Sequence, residues 1–93
     1  MEIILKEESG KGFAMARENH ERAGIMSYSI AGAKLIIIDH TEVEPAYTGK
    51  GIGKQMLYKI VEMAREKGIK IIPLCPFAAS VFRKSDDIKD VLK

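Results

Sequence analysis

The hydrophobic pattern of the chain changes its period near the middle. Before residue 40, larger apolar side chains tend to alternate with small or polar ones in short runs, which is typical of strands. Runs beginning at Ile3, Phe13 and Ile25 are separated by turn-forming residues, and a continuous apolar run, Leu35–Ile38, follows them. Over residues 51–67 the apolar residues recur at helical spacing. The pattern therefore predicts a sheet first and a long amphipathic helix second.

The pattern also predicts which residues are buried and where the strands turn. Leu35–Ile38 is apolar on both faces, which predicts a central strand covered on both sides. In the preceding strand Met26, Tyr28 and Ile30 share one face by alternation. Four methionines are expected to fill the core: Met15, Met26, Met56 and Met63. Turns are expected at Ser9–Gly12, Asn19–Arg22 and Ala31–Ala33.

The second half of the chain predicts a crossover connection, formed by the long helix, and a C-terminal helix. Gly68 suits the residue that ends the long helix, and Ile69–Leu74 suits a strand that pairs in parallel with the fourth strand. Pro76 suits the first position of a second helix, and Ser85 a cap for a short terminal helix over residues 87–92. The prediction is an α/β (α+β) fold: a four-stranded antiparallel meander, a helix, a parallel strand and a C-terminal helix.

Composition narrows the class of protein. The 93 residues suit a single domain, 1–93, and 46% hydrophobic with 30% charged residues is ordinary for a soluble globular protein. No apolar run approaches the roughly 20 residues of a membrane span, and the N-terminal run is short for a signal peptide. One cysteine fits a reducing cytoplasm, and one cysteine with two histidines argues against a structural zinc site. A net charge of +2 with interleaved signs argues against nucleic-acid binding.

The most informative segment joins the fourth strand to the long helix: Thr48-Gly49-Lys50-Gly51-Ile52-Gly53-Lys54. Glycines allow the backbone to approach a ligand closely, and a helix start adds unpaired N–H donors and partial positive charge. These parts together predict a cradle for phosphate, above all a diphosphate. The alternative is a flexible turn without a ligand.

Two familiar phosphate-binding patterns do not fit this turn. A P-loop needs a first glycine where Thr48 stands and Ser or Thr where Gln55 stands. A Rossmann fingerprint needs a glycine where Lys54 stands, and it normally follows a first strand rather than a meander.

The turn resembles instead the acyl-CoA-binding motif of the GNAT N-acyltransferase superfamily, Gln/Arg-x-x-Gly-x-Gly/Ala, with Thr48 in place of the leading Gln or Arg. The loss of a bidentate cationic contact there can be offset by Lys50 and Lys54. The resemblance extends to the order of elements over residues 11–84. His40-Thr41-Glu42-Val43 and Pro73-Leu74-Cys75-Pro76-Phe77 resemble a small single-domain branch of that superfamily.

The resemblance implies a fold, a ligand and an activity. The pantetheine arm of acetyl-CoA would lie between the fourth and fifth strands, bonded to the backbone of Glu42-Val43-Glu44, while residues 48–54 hold the diphosphate. The implied function is an acetyl-CoA-dependent N-acetyltransferase acting on an unidentified amine or protein acceptor. Because the helical segment with which larger relatives grip the acceptor is missing, an open acceptor site is expected. The alternatives are a non-catalytic acyl-CoA-binding or sensing module and an interaction domain without affinity for coenzyme A.

Three residues are candidates for the chemistry. His40 and Glu42 stand two apart on a strand, so they share a face and can pass a proton to solvent. The alternative makes His40 a partly buried packing residue and Glu42 a solvated one. Many relatives use a tyrosine after the fifth strand to protonate the leaving thiolate, but this chain offers Phe77 and Phe82 there.

Cys75 is the candidate replacement for that tyrosine. It stands at a strand end before a proline-led helix, whose N-terminus favours a thiolate. Such a sulfur can take an acyl group from a thioester and pass it on. The alternatives are a packing role beside the acyl group and a plain core residue.

Overall fold

The computed structural model describes residues 1–93 and contains five strands, two α-helices and two 3₁₀ segments. The strands are β1 (Glu2–Glu8), β2 (Lys11–Glu18), β3 (Glu21–Gly32), β4 (Leu35–Val43) and β5 (Lys70–Pro73). The α-helices are α1 (Ile52–Lys67) and α2 (Pro76–Lys84), and the 3₁₀ segments are Pro45–Tyr47 and Asp86–Val91. No helix of the chain is both long enough and apolar enough to cross a membrane.

The five strands form one sheet in the order β1-β2-β3-β4-β5. The first four pair antiparallel as a meander, and β5 pairs with β4 in parallel after the α1 crossover. This confirms the predicted order and the mixed α/β class. Gly68 ends α1 in the left-handed conformation (φ 66°), as its place after the last apolar residue predicted.

Both α-helices pack on the same face of the sheet. A single core of 19 buried residues joins that face to α1, α2 and the C-terminal 3₁₀ segment. Under α1 the sheet presents small side chains, Ala14 and Ala16, which let the apolar stripe of Met56, Leu57 and Ile60 approach the strands. This packing fixes the start of α1 relative to the end of β4.

The other face of the sheet is open, which corrects two expectations. Leu35 and Ile37 are only half-buried, so β4 is not covered on both sides. Met15 points to the same open face and is likewise half-buried rather than part of the core. An apolar sequence on both faces of a strand does not by itself predict that both faces of the sheet are covered by helices. Here the α1 crossover and α2 fall on the same side, because α1 and α2 share one core.

Smaller differences concern turns and ends. The turns at residues 9–10, 19–20 and 33–34 are tighter than expected, so the strands run further into each connection. Ile30 pairs with the buried Ile36 and so stays on the face of Met26 and Tyr28, but near the end of β3 its side chain is 39% exposed. Ser85 makes no capping hydrogen bond, and the segment that follows is 3₁₀ rather than α-helical.

Candidate functional site

The start of α1 presents backbone donors without partners. Gly51 is the N-cap residue in the left-handed conformation (φ 73°), and the first helical hydrogen bond runs from the Gln55 N–H to the Gly51 carbonyl at 3.1 Å. The N–H groups of Ile52, Gly53 and Lys54 therefore precede the helical ladder, and none of them donates to a backbone carbonyl. No acidic residue stands in the first turn, so its positive end is not neutralised.

A cavity of about 410 Å³ lies against these donors. Its wall contains nearly all the residues that the sequence indicated for coenzyme binding, together with three that it did not. The former are Val43, Thr48, Gly49, Gly51, Ile52, Gly53 and Lys54, and the latter are Tyr47, Phe77 and Val81. Lys50 lies outside the wall, with its Nζ 5.4 Å from the centre of the Tyr47 ring. Lys54 extends over Tyr58 at the same distance, and neither lysine has a carboxylate within 4.0 Å.

Phe77 closes one side of this cavity because Gly53 has no side chain. A Cβ placed on Gly53 would lie 2.5 Å from Cζ of the Phe77 ring, well inside van der Waals contact. Gly53 thus serves the close approach of α2, whereas Gly51 serves the left-handed turn. The sequence signal for Phe77 is its position one residue inside the proline-led helix, whereas its contact with the glycine turn appears only in the structure.

The cavity borders the end of β4 at Val43, beyond the point where β4 and β5 separate and leave a gap. Their parallel pairing ends at Ile38 and Pro73, after which the Leu74 and Cys75 N–H groups both donate to the Ile38 carbonyl at 3.1 Å. Beyond that point β4 continues to Val43 without β5 beside it. One edge of β4 is therefore unpaired where the cavity meets it.

The antiparallel register shows which backbone groups face this gap. The Glu44 N–H donates to the Ala23 carbonyl at 2.8 Å, so Glu44 directs its backbone toward β3. Because backbone polar groups alternate along a strand, those of Val43 and Thr41 point the other way, into the gap. Within Glu42-Val43-Glu44, only Val43 directs its backbone N–H and carbonyl groups toward the gap.

Cys75 lies at the inner end of the gap. It is the N-cap residue of α2, its Sγ accepts a hydrogen bond from the Ala78 N–H at 3.3 Å, and it is 5% exposed. Thr41 Oγ1 lies 3.2 Å from the same sulfur, joining β4 to α2 across the gap. The sequence gives no signal for Thr41, because only the divergence of the two strands brings it to Cys75.

His40 and Glu42 lie together on the open face of the sheet. Their Nε2 and Oε2 atoms are 3.3 Å apart, and the side chains are 64% and 57% exposed. They share a face, as their spacing predicted, and His40 is not the partly buried imidazole of the alternative interpretation. The structure does not place them beside Cys75, however, because Thr41 and Cys75 belong to the covered face. The two candidate groups flank the gap from opposite sides.

No tyrosine hydroxyl stands beside Cys75 to act as the proton donor. Tyr28 donates to Glu7 Oε2 at 2.8 Å, and Tyr58 donates to the Asp87 carboxylate at 3.0 Å. Tyr47 lines the cavity at the turn, next to Lys50. No group of three or more His, Cys, Asp or Glu side chains is arranged to hold a metal ion.

These features define a class of protein: a mixed sheet with a parallel strand pair that splays apart, and a helix start with unpartnered N–H groups beside the gap. The chain belongs to the GCN5-related N-acetyltransferase family, whose model matches residues 10–91. The resemblance seen in the sequence is thereby confirmed, and acetyl transfer is the activity after which the family is named.

Individual relatives agree with this assignment. The chain is 32% identical over 56 residues to the human protein NATD1, covering 60% of this chain and 49% of that protein, so it spans about half of that relative's length. It is similar to a GCN5-like protein from Staphylococcus aureus, with 34% identity, a TM-score of 0.72, and coverage of 97% and 87% of the two chains. The aminoglycoside N-acetyltransferase AAC(6')-Iy, solved in complex with CoA, shares the fold at 14% identity and a TM-score of 0.60, covering 83% and 67%.

Proposed function

We propose that this protein is an acetyl-CoA-dependent N-acetyltransferase that transfers an acetyl group to a primary amine. The observation that carries the proposal is the unpartnered N–H groups of Ile52, Gly53 and Lys54, which border a cavity that also meets Val43, on the part of β4 that β5 does not pair with. A diphosphate suits these donors, and an extended pantetheine arm suits the free edge of β4.

The residues present divide the binding task along the cavity. The first turn of α1 and the exposed Lys54 would hold the diphosphate, and Val43 would bond the amide groups of the arm. Phe77 and Val81 supply apolar walls between these two points. When bound, the coenzyme supplies an activated acetyl group as a thioester.

The chemistry requires proton transfers on both sides of the gap. The acceptor nitrogen must be neutral before it attacks the carbonyl carbon, and the Glu42 carboxylate with His40 takes up its proton on the open face. The new C–N bond forms as the C–S bond breaks, and the leaving sulfur then needs a proton.

We assign the supply of that proton to the Cys75 thiol on the covered face. Its sulfur already accepts from the Ala78 N–H, which leaves its S–H free to donate, and the partly exposed Thr41 hydroxyl, with Oγ1 at 3.2 Å, relays a proton from solvent to the sulfur afterwards. The proton passes from a thiol to a thiolate of similar basicity, so the free energy change of this transfer is small. A covalent route, in which Cys75 itself carries the acetyl group, is the competing use of this sulfur.

Two measurements test the proposal. Calorimetric titration with acetyl-CoA should show binding at a single site. Incubation with acetyl-CoA and a library of primary amines, followed by mass spectrometry, should show an acetylated amine and free coenzyme A. Absence of both binding and product would overturn the proposal.

The rival function is a non-catalytic acyl-CoA-binding module, and one observation favours it: no tyrosine hydroxyl lies at the gap. Binding of acetyl-CoA without turnover of any amine would support this rival.

A further inference from the structure

The open face of the sheet carries an apolar surface next to His40 and Glu42. Its members are half-buried, belong to the strands, and stand outside the core that the helices cover. Apart from Leu35 at the start of β4, they are Ile4, Phe13, Met15, Ile25, Ile37 and Ile72. A group of hydrophobic side chains on an open sheet face is typical of a surface that binds a ligand.

The strand register orders part of this surface into a track that begins at Glu42. Glu42 lies across from Ile25, Ile25 from Met15, and Met15 from Ile4. Since neighbouring strands are about 4.8 Å apart, the track extends roughly 14 Å from the carboxylate-bearing strand. A carboxylate thus stands at one end of an apolar row.

A second row beside the track is recessed. His40 lies across from Ser27, Ser27 from Phe13, and Phe13 from Lys6. Lys6, Phe13 and Ser27 also line a depression of about 610 Å³. The charges of that depression cancel, because it is lined by two lysines and two glutamates: Lys6, Lys11, Glu7 and Glu8. Its far end therefore does not favour a ligand charge of either sign.

Charge selects the orientation of a ligand on this face. β4 carries Asp39 and Glu42 there and contains no lysine or arginine. An ammonium group is therefore attracted to the β4 end, beside the gap where transfer would occur, while an apolar body fits the track.

Resting on the proposed transfer, we propose that this open face is the acceptor site and that the acceptor is a primary amine attached to an apolar body. The nitrogen lies at Glu42 and His40, and the apolar body covers Ile25, Met15 and Ile4, with one side over Phe13. The covered face of the sheet is filled by α1 and α2, so the acceptor reaches the gap from the open face.

Turnover with matched amines tests the substrate class. We expect kcat/KM for n-octylamine to exceed that for ethylamine by roughly tenfold or more, measured as release of coenzyme A thiol. The double variant Met15→Thr/Ile25→Thr should lose most of this preference. Leu35→Thr, which changes a half-buried residue at the other end of β4, should keep it. Equal rates for the two amines, or an unchanged preference in the double variant, would overturn the inference.

Binding tested by methyl NMR separates this inference from the proposed transfer. In the full chain, n-octylamine should shift the methyl signals of Ile4, Met15 and Ile25 more strongly than 1-octanol does, and Glu42→Gln should reduce the difference. Such shifts without any acetylated product would support the amine site while the proposed transfer fails. Acetylation of n-octylamine without shifts at these methyls would overturn the site and leave the transfer standing. If dilution of the protein alone shifts them, a second copy covers the face and the inference is wrong.

Discussion

At the scale of single residues, the site depends on side chains placed on opposite faces of β4. Glu42 and His40 occupy the open face, and Thr41, between them in sequence, contacts Cys75 on the covered face. In the proposed transfer this alternation gives one strand two tasks, because a thioester approached from one side can be attacked from the other. Each task can be removed separately.

Replacing Glu42 by Gln should lower kcat/KM for the amine by about 10²–10⁴-fold, because the variant cannot take up the proton of the attacking nitrogen. The calorimetric affinity for acetyl-CoA should stay unchanged, since Glu42 does not line the cavity. Glu62→Gln on α1, an exposed carboxylate far from the gap, is the control and should retain full activity. Full activity of Glu42→Gln would show that the carboxylate is not the base.

Replacing Cys75 by Ala should slow turnover by about 10²-fold or more if its thiol protonates the leaving sulfur. The intact mass of the wild-type protein incubated with acetyl-CoA decides between the two uses of this residue. We expect no added acetyl group, whereas a stable acetyl adduct lost in Cys75→Ala would establish the covalent route. Full turnover by Cys75→Ala would leave the residue with a packing role.

At the scale of elements, two glycines at the start of α1 serve different purposes. Gly51 allows the left-handed turn that aims the first N–H groups at the cavity, and Gly53 makes room for the Phe77 ring of α2. The sequence motif contains both but does not distinguish them. The structure does, and their substitutions should behave differently.

Gly51→Ala and Gly68→Ala form a matched pair at the two ends of α1. Both positions are left-handed, with φ of 73° and 66°, and neither has an atom within 4 Å of an added Cβ. Each substitution should therefore lower the free energy of unfolding by about 1–2 kcal/mol. Gly51→Ala alone should also weaken acetyl-CoA binding, by roughly tenfold, because it disturbs donors to a charged group. Equal affinities in the two variants would contradict the placement of the diphosphate.

The effect of Gly53→Ala on the free energy of unfolding should depend on the residue at position 77. In a Phe77→Ala background the added methyl meets no ring, and the helix should gain about 0.5–1 kcal/mol from the loss of a glycine. With Phe77 present the methyl displaces the ring, so this gain should vanish. Chemical denaturation of the wild type, the two single variants and the double variant measures the coupling free energy between positions 53 and 77. Equal effects in both backgrounds would mean that the ring does not lie on Gly53.

At the scale of the whole molecule, a single core lies between the helices and one face of the sheet. A buried tyrosine of β3 belongs to this core and makes a hydrogen bond to β1. Tyr28 is 2% exposed, and its hydroxyl donates to Glu7 at 2.8 Å. Burial, the hydrogen bond to Glu7 and the charge of Glu7 all raise the pKa of Tyr28 above its ordinary value of 10. The protonated form is thus favoured by folding.

This raised pKa predicts alkaline sensitivity. Because the folded protein holds the Tyr28 proton more tightly than the unfolded chain, the contribution to stability is complete below pH 10 and is lost as the pH rises above it. Denaturation between pH 9 and pH 11 should show a steeper fall for the wild type than for Tyr28→Phe. Tyr58→Phe should keep the wild-type slope because Tyr28 is intact. Identical slopes in Tyr28→Phe and the wild type would refute this assignment.

The sequence predicted the strand order, the crossover, both helix starts and the glycine turn, because each depends on local periodicity or on a residue with a special backbone preference. It failed where packing decides. Leu35–Ile38 looked like a strand buried on both faces, and Met15 looked like core, but both expose side chains on the open face.

What the sequence by itself determined is the order of elements and the chemistry available: a glycine-rich helix start, one cysteine before a proline, and a His-x-Glu pair. Only the tertiary structure decided that both helices cover the same face, that Thr41 meets Cys75, and that Phe77 lies on Gly53. Local preferences act within a few residues of the chain, whereas these contacts join residues 24 or more positions apart. They exist only once the helices have packed on the sheet and β5 has diverged from β4.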